Sequence, residues 1–129
     1  MAYPTDRKYT KEHEWIQANG TSASIGITDY AQQSLGDIVC VELPKVGAEL
    51  SGGKTFGTVE SVKAVSDLFA PASGTVTAAN GDLATSPEKV NQDPHGSWMI
   101  KMDLKDPSEL NALLSAADYE KFVAEEAGH

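Results

Sequence analysis

Nowhere in this chain do apolar residues recur at helical spacing over a long stretch. They come in short runs, each closed by a Gly, Pro or Asn signal, a pattern that folds as strands joined by tight turns with brief helices laid against them. His13–Ala18 and Ser22–Thr28 flank Asn19-Gly20, a pair that takes up positive φ readily and suits a tight hairpin. Thr28-Asp29 predicts the cap of a short helix over Tyr30–Leu35, closed by Gly36. Asp37–Leu43 alternates, which predicts Val39, Val41 and Leu43 on one face and Ile38, Cys40 and Glu42 on the other, with Cys40 a small buried filler.

Thr55–Val62 and Ala64–Ala70 are rich in β-branched and aromatic residues and predict two more strands. Pro71-Ala72-Ser73-Gly74 breaks the chain before a strand over Thr75–Ala79, Asn80–Asp93 is predicted as a polar connection around Pro87, and Ser97–Leu104 is a last alternating strand. Asp106-Pro107-Ser108-Glu109 supplies an N-cap, a proline at the first helical position and an acid at the third. Ser115 opens a second helix, whose Tyr119, Phe122 and Val123 form an apolar stripe and whose Tyr119 is placed to staple against Leu114. The expectation is one domain over residues 1–129, mainly β, with two packed antiparallel sheets and short peripheral and C-terminal helices. A length of 129 residues with 40% hydrophobic content suits one modest core.

Charge and cysteine content remove several function classes. The net charge of −9 argues against a nucleic-acid partner, because a phosphate backbone attracts basic patches; acidity favours solubility and basic partner surfaces. No apolar run approaches a membrane span, so no membrane is expected as a partner. Met1–Lys8 has neither the apolar core of a secretory signal nor the Arg- and Ser-rich make-up of a transit peptide, so a cytoplasmic, bacterial setting is expected, with a processed organelle form as the alternative. Cys40 is the only cysteine, which excludes an intrachain disulfide, a CxxC pair or a thiolate zinc site; any sulfur chemistry must be borrowed. Gly53-Lys54-Thr55 lacks the earlier glycine of a phosphate-binding loop, because Ala48 stands there. His13, His95 and His129 are scattered, without metal-ligand spacing, and no nucleophile-elbow pattern occurs. No catalytic or metal-binding residue is predicted, and the chain is not expected to be an enzyme.

One stretch carries chemistry: Glu60-Ser61-Val62-Lys63-Ala64-Val65-Ser66-Asp67-Leu68-Phe69-Ala70-Pro71-Ala72-Ser73-Gly74. A single lysine sits between two strand-like runs, where a hairpin would anchor its backbone and hold its amine out to be acylated by another enzyme. Lys63 is one lysine of nine, and taken alone it would read as a solvated surface charge. The whole stretch, however, resembles the lipoyl-lysine motif, in which acidic-polar-x-Lys-Ala precedes an apolar strand and then Ala-Pro-x-x-Gly. Biotinyl domains usually hold their lysine between two methionines; Val62 and Ala64 flank it here. Lipoyl hairpins also occur in the acyltransferase subunits of 2-oxoacid dehydrogenases, so the hairpin does not by itself name a family.

The flanking segments do. Tyr9-Thr10-Lys11-Glu12-His13-Glu14-Trp15, Ile25-Gly26-Ile27-Thr28-Asp29-Tyr30-Ala31-Gln32 with Leu35-Gly36-Asp37, Val41-Glu42-Leu43-Pro44, Val90-Asn91-Gln92-Asp93-Pro94 and Gly96-Ser97-Trp98-Met99-Ile100-Lys101 resemble, in order, the glycine cleavage system H-protein family. The resemblance spans roughly Tyr9 to Val123. It implies a lipoyl/biotinyl-type barrel-sandwich hybrid fold and one covalent lipoate on Lys63, with Glu60, Val62 and Ala64 marking the lysine for lipoate-attaching enzymes. It also implies a non-catalytic carrier in glycine catabolism. Such a carrier takes the aminomethyl group of glycine from the pyridoxal-phosphate-dependent glycine decarboxylase (P protein) to the aminomethyltransferase (T protein). It then presents dihydrolipoate to dihydrolipoyl dehydrogenase (L protein). Glu14 and Asp67 match family positions that line the arm's resting cleft. Two departures stand out: Ser34 stands where some members have a histidine, and Cys40 replaces a usual aromatic or larger apolar residue. A lipoate relay that never handles glycine is the alternative function.

Overall fold

The computed structural model describes residues 3–127, so His129 lies outside the described residues. Among the described residues nine strands form two antiparallel sheets. The larger sheet has the order β1-β2-β3-β9-β8-β5, built from β1 (Lys8–Tyr9), β2 (Glu14–Asn19), β3 (Ser22–Ile27), β5 (Glu49–Leu50), β8 (Gly74–Ala79) and β9 (Ile100–Leu104). The smaller has the order β4-β6-β7, built from β4 (Ile38–Glu42), β6 (Thr55–Ser61) and β7 (Val65–Phe69). Four short helices flank them among the same residues, α1 (Asp29–Leu35), α2 (Asp82–Thr85), α3 (Lys89–Gln92) and α4 (Ala116–Ala127), with a 3-10 turn over Pro107–Ala112. The expected sandwich of two antiparallel sheets with small helices is what the chain adopts.

Local signals explain much of this. The β2–β3 hairpin pairs Asn19 with Ser22 and turns at Gly20, whose φ of 67° needs a residue without a Cβ penalty. The Thr28 hydroxyl accepts from the Ala31 N–H at the start of α1, and Gly36 closes the helix with its N–H on the Gln32 carbonyl. Asp106 accepts from the Ser108 N–H, and the Ser115 hydroxyl accepts from the Asp118 N–H, as the two C-terminal capping signals require.

The main core lies between the sheets. Ile16, Ile25, Ile27, Val76, Ile100 and Met102 from one meet Ile38, Val41, Phe56, Val59 and Leu68 from the other. Each fully buried aliphatic side chain there contributes about 1.5–3 kcal/mol. A second, aromatic cluster packs beneath α4. In it the Tyr9 and Tyr119 rings stack at 4.8 Å, and Tyr3 meets Tyr119 edge-on at 5.0 Å.

Three expectations need correction. On β4, Ile38 and Val41 are buried while Val39 is 49% exposed, because the pairing with β6 slips between Ile38 and Cys40 and the extra residue reverses the alternation. For the same reason Cys40 is only half-buried and is not a core filler. Asn80–Asp93 is not a polar connection but carries α2 and α3, which bury Leu83 and Val90 in the main core.

Candidate functional site

Strands β6 and β7 pair from Thr55–Phe69 up to Glu60–Val65, and the loop that joins them carries Lys63. The turn is organised by Ser61. Its N–H donates to the Ala64 carbonyl at 2.8 Å, and its buried hydroxyl oxygen accepts from the Ala64 N–H at 3.1 Å and the Lys63 N–H at 3.3 Å. A serine two residues ahead of the tip thus supplies the acceptor that the turn's own carbonyls cannot reach. The Val62 N–H donates to the Asp37 carbonyl at 3.0 Å, which ties the tip to the segment between α1 and β4. The lysine backbone is therefore fixed from two sides.

The Lys63 side chain is exposed and, among the described residues, makes no hydrogen bond or ion pair. Its stem leans back over the end of α1: its Cε lies 3.9 Å from where a Cβ on Gly36 would stand. Val62 and Val65 beside it are 69% and 67% exposed, an apolar collar around a free amine. Glu60, Val62, Lys63 and Ala64, singled out together in the sequence, all face solvent at this end of the molecule. Glu60 sits opposite Val65 on one side and Cys40 on the other.

Asp67 lies farther along β7, and Glu14, at the start of β2, reaches the same strand from the larger sheet. Asp67 is exposed, opposite Thr58 on β6. Glu14 is 1% exposed, yet both its oxygens are satisfied: the Thr10 hydroxyl donates to Oε1 at 2.6 Å and the Phe69 N–H donates to Oε2 at 3.3 Å. Burial pushes its carboxyl up to about 7, against the pull of those two donors. The contact with Phe69 brings Glu14 to the strand that bears Asp67, two residues along, but no hydrogen bond joins the two acids.

Beside Glu14, His13 holds a φ of 72°, the one left-handed non-glycine backbone among the described residues. Its ring is locked by a chain of polar contacts. Thr28 Oγ1 accepts from the Ala31 N–H, so its own hydrogen is free for Tyr119 Oη at 2.8 Å. Tyr119 Oη then donates to His13 Nδ1 at 2.7 Å, leaving the proton on Nε2, which donates to Glu126 at 3.0 Å. Burial holds the His13 imidazole below its ordinary value, with Glu126 opposing, so the neutral ring is the form that this chain accommodates. The network joins α4, α1 and the loop before Glu14. Sequence reasoning missed Ser61, Thr10 and Asp37. A serine two residues before the target lysine was the one local signal available for any of them.

Among the described residues no three of His, Cys, Asp and Glu converge as a metal-ligand set, and no helix is long and apolar enough to cross a membrane. One surface hollow lies over β2 and β3, away from Lys63, and is lined by Asp6, Gln17, Asn19, Ser22, Ser24 and Lys101.

Known proteins resemble this chain over nearly its whole length. The family model described as glycine cleavage H-protein matches residues 7–126. A glycine cleavage system H protein of Koribacter versatilis is 73% identical over 129 residues, covering all of both chains. One of Staphylococcus haemolyticus is 53% identical over 126 residues, 97% of this chain and all of the relative. The crystal structure of a glycine cleavage system H protein from Mycobacterium marinum superposes with a TM-score of 0.86 at 36% identity, covering 97% of this chain and 99% of that one. The fold is thus the lipoyl-type barrel-sandwich that the family resemblance implied. With its residues matched almost end to end and its sheets superposed, the chain belongs to the glycine cleavage H-protein family.

Proposed function

We propose that this chain is a single-domain, non-catalytic lipoyl carrier of the glycine cleavage system, carrying one covalent lipoate on Lys63. The observation that supports the reading most strongly is the Lys63 tip: an exposed amine, without polar partners among the described residues, on a turn held by Ser61 and Asp37. The residues fit the group, because acylating this amine removes a charge that no neighbour balances and breaks no contact. When attached, lipoate supplies a strained ring disulfide open to exchange and reduction, which one half-buried cysteine does not.

The chain's own residues then have distinct tasks. Ser61 and Asp37 aim the lysine; Glu60, Val62 and Ala64 are the features that an attaching enzyme meets around it. Glu14 and Asp67 line the path along β7. A carboxyl held at about 7 by burial is poised between its two forms near neutral pH, so a cationic amine brought close would favour the charged one, and Glu14 then offers a matched charge to an aminomethyl-bearing arm. Glycine decarboxylase, the aminomethyltransferase and dihydrolipoyl dehydrogenase are the partners this role requires, and each brings its own catalytic groups. The cytoplasm is where such a carrier would work.

Incubation with a lipoate-attaching enzyme, lipoate and ATP tests the reading. The unaltered protein should gain one lipoyl amide, mapped to Lys63, and then support bicarbonate exchange into the glycine carboxyl carbon with the decarboxylase. Lys63→Arg should gain nothing and support no exchange. Lipoylation of the Arg variant refutes the site; lipoylation without exchange favours the lipoate relay.

A further inference from the structure

Asn91, in the Val90-Asn91-Gln92-Asp93-Pro94 motif, has a task that the carrier role has not yet absorbed. It stands on α3, far from the lysine in sequence, yet its half-buried amide reaches the segment that holds the tip. Its Oδ1 accepts from the Ile38 N–H at 2.9 Å, and its Nδ2 donates to the Gly36 carbonyl at 2.9 Å. The backbone fixes which way round the amide sits: Ile38 offers only a donor there and Gly36 only an acceptor, so a flipped amide would lose both bonds. A third bond, from Nδ2 to Gln32 Oε1 at 3.0 Å, ties the amide to α1.

Asp37 lies between those two bracketed residues, and its carbonyl is the acceptor for the Val62 N–H at the hairpin tip. Gly36 is also the residue over which the Lys63 stem leans, and its φ of 77° is a conformation that glycine holds without strain. The path runs Asn91 to Gly36–Ile38, then through Asp37 to Val62, and so to the lysine one residue on. Asp37 itself is exposed, between Gly36, whose N–H is on the Gln32 carbonyl, and Ile38, which pairs with Ser61; the Asn91 bracket is the contact that spans both of its neighbours at once.

We infer that Asn91 is a positioning residue for the Lys63 tip: by bridging Gly36 and Ile38 it fixes the Asp37 carbonyl that orients Val62, so the lysine is presented in one arrangement to the enzyme that acylates it. The inference rests on Lys63 being the lipoylated residue. A tip that spends only part of its time in the competent arrangement lowers apparent affinity by that fraction and leaves the step within the complex unchanged. Loss of the bracket therefore raises KM for the protein substrate and spares kcat.

The test uses the full apo chain as substrate for a purified lipoate-attaching enzyme, with initial rates read by intact mass and the product mapped. Asn91→Ala should raise KM about fivefold or more with kcat within about twofold. In the same variant the Val62 amide proton should exchange about tenfold faster, while that of Val76, which donates to the Ala48 carbonyl in the other sheet, keeps its rate. Ile16→Val, a mild core change in the larger sheet, controls for destabilisation and should leave KM, kcat and Val62 exchange as they were. If Asn91→Ala is too unstable to assay, Asn91→Asp carries the same test, since it keeps the acceptor for Ile38 and loses the donor for Gly36. An unchanged KM or an unchanged Val62 exchange rate overturns the inference. Lipoate mapped to a residue other than Lys63 in the unaltered protein overturns the underlying reading instead, and the peptide map tells the two failures apart.

Discussion

Replacing Glu14 by Gln should flatten a pH dependence of stability that the buried carboxyl creates. In the folded chain this group titrates at about 7 instead of 4.5, because burial disfavours its charged form. The unfolded chain gives up the proton freely above pH 4.5, whereas the folded chain keeps it until about 7. Folding therefore loses stability as pH rises across that window and levels off above it. A rise from 4.5 to about 7 corresponds to about 3 kcal/mol, most of it spent between pH 5 and 7. Glutamine keeps the shape and satisfies both neighbours: its oxygen can accept from the Phe69 N–H, and its NH2 can donate to Thr10 Oγ1. His13 and His95 act in the opposite direction, since burial lowers both and the stability they contribute is lost as pH falls below about 6.5. Comparing variant with parent cancels their effect. Urea unfolding at pH 5, 6, 7 and 8 should show the Gln variant gaining about 2–3 kcal/mol on the parent across the series. Parallel curves would mean that Glu14 is not desolvated as described.

Two further substitutions probe the surroundings of the site. Tyr119→Phe removes the hydroxyl between Thr28 and His13 and should cost about 1–3 kcal/mol in urea unfolding, with loosened α4 amides in hydrogen exchange. Gly26→Ala would place a Cβ 2.6 Å from Trp15 Cζ2, and the ring is 2% exposed with no room to move away. A cost of about 3 kcal/mol and a changed tryptophan near-ultraviolet spectrum are expected; an unaltered melting curve would refute the packing described.

What the sequence disclosed was what is local. The Thr28, Asp106 and Ser115 caps and the Lys63 hairpin each depend on residues within a few positions of one another, and each forms as expected, while the β2–β3 turn falls one residue on from Asn19-Gly20, at Gly20-Thr21, with Asn19 still paired in β2. The β4 alternation failed because Ile38, Val39 and Val41 are all aliphatic, and only the pairing with β6 determines which of them is the extra residue. Leu83 and Val90 are too far apart to reveal a periodicity, so α2 and α3 read as a loop. The burial of Glu14 was illegible for a similar reason: Phe69, which satisfies one of its oxygens, is 55 residues away. A carboxylate on a strand reads as solvated until its neighbours are known.

Strand β7 forms an open border of the smaller sheet, and such a border ordinarily invites a foreign strand to dock and seed aggregates. Here one outward donor, the Phe69 N–H, is already occupied by Glu14, and the exposed carboxylate of Asp67 stands midway along the strand. The same two acids assigned to the carrier's path thus also guard that border. Asp67→Asn combined with Glu14→Ala, which leaves the Phe69 N–H without its acceptor, should make the protein clump during prolonged storage even while it remains folded, a defect that no assay of its loading would reveal.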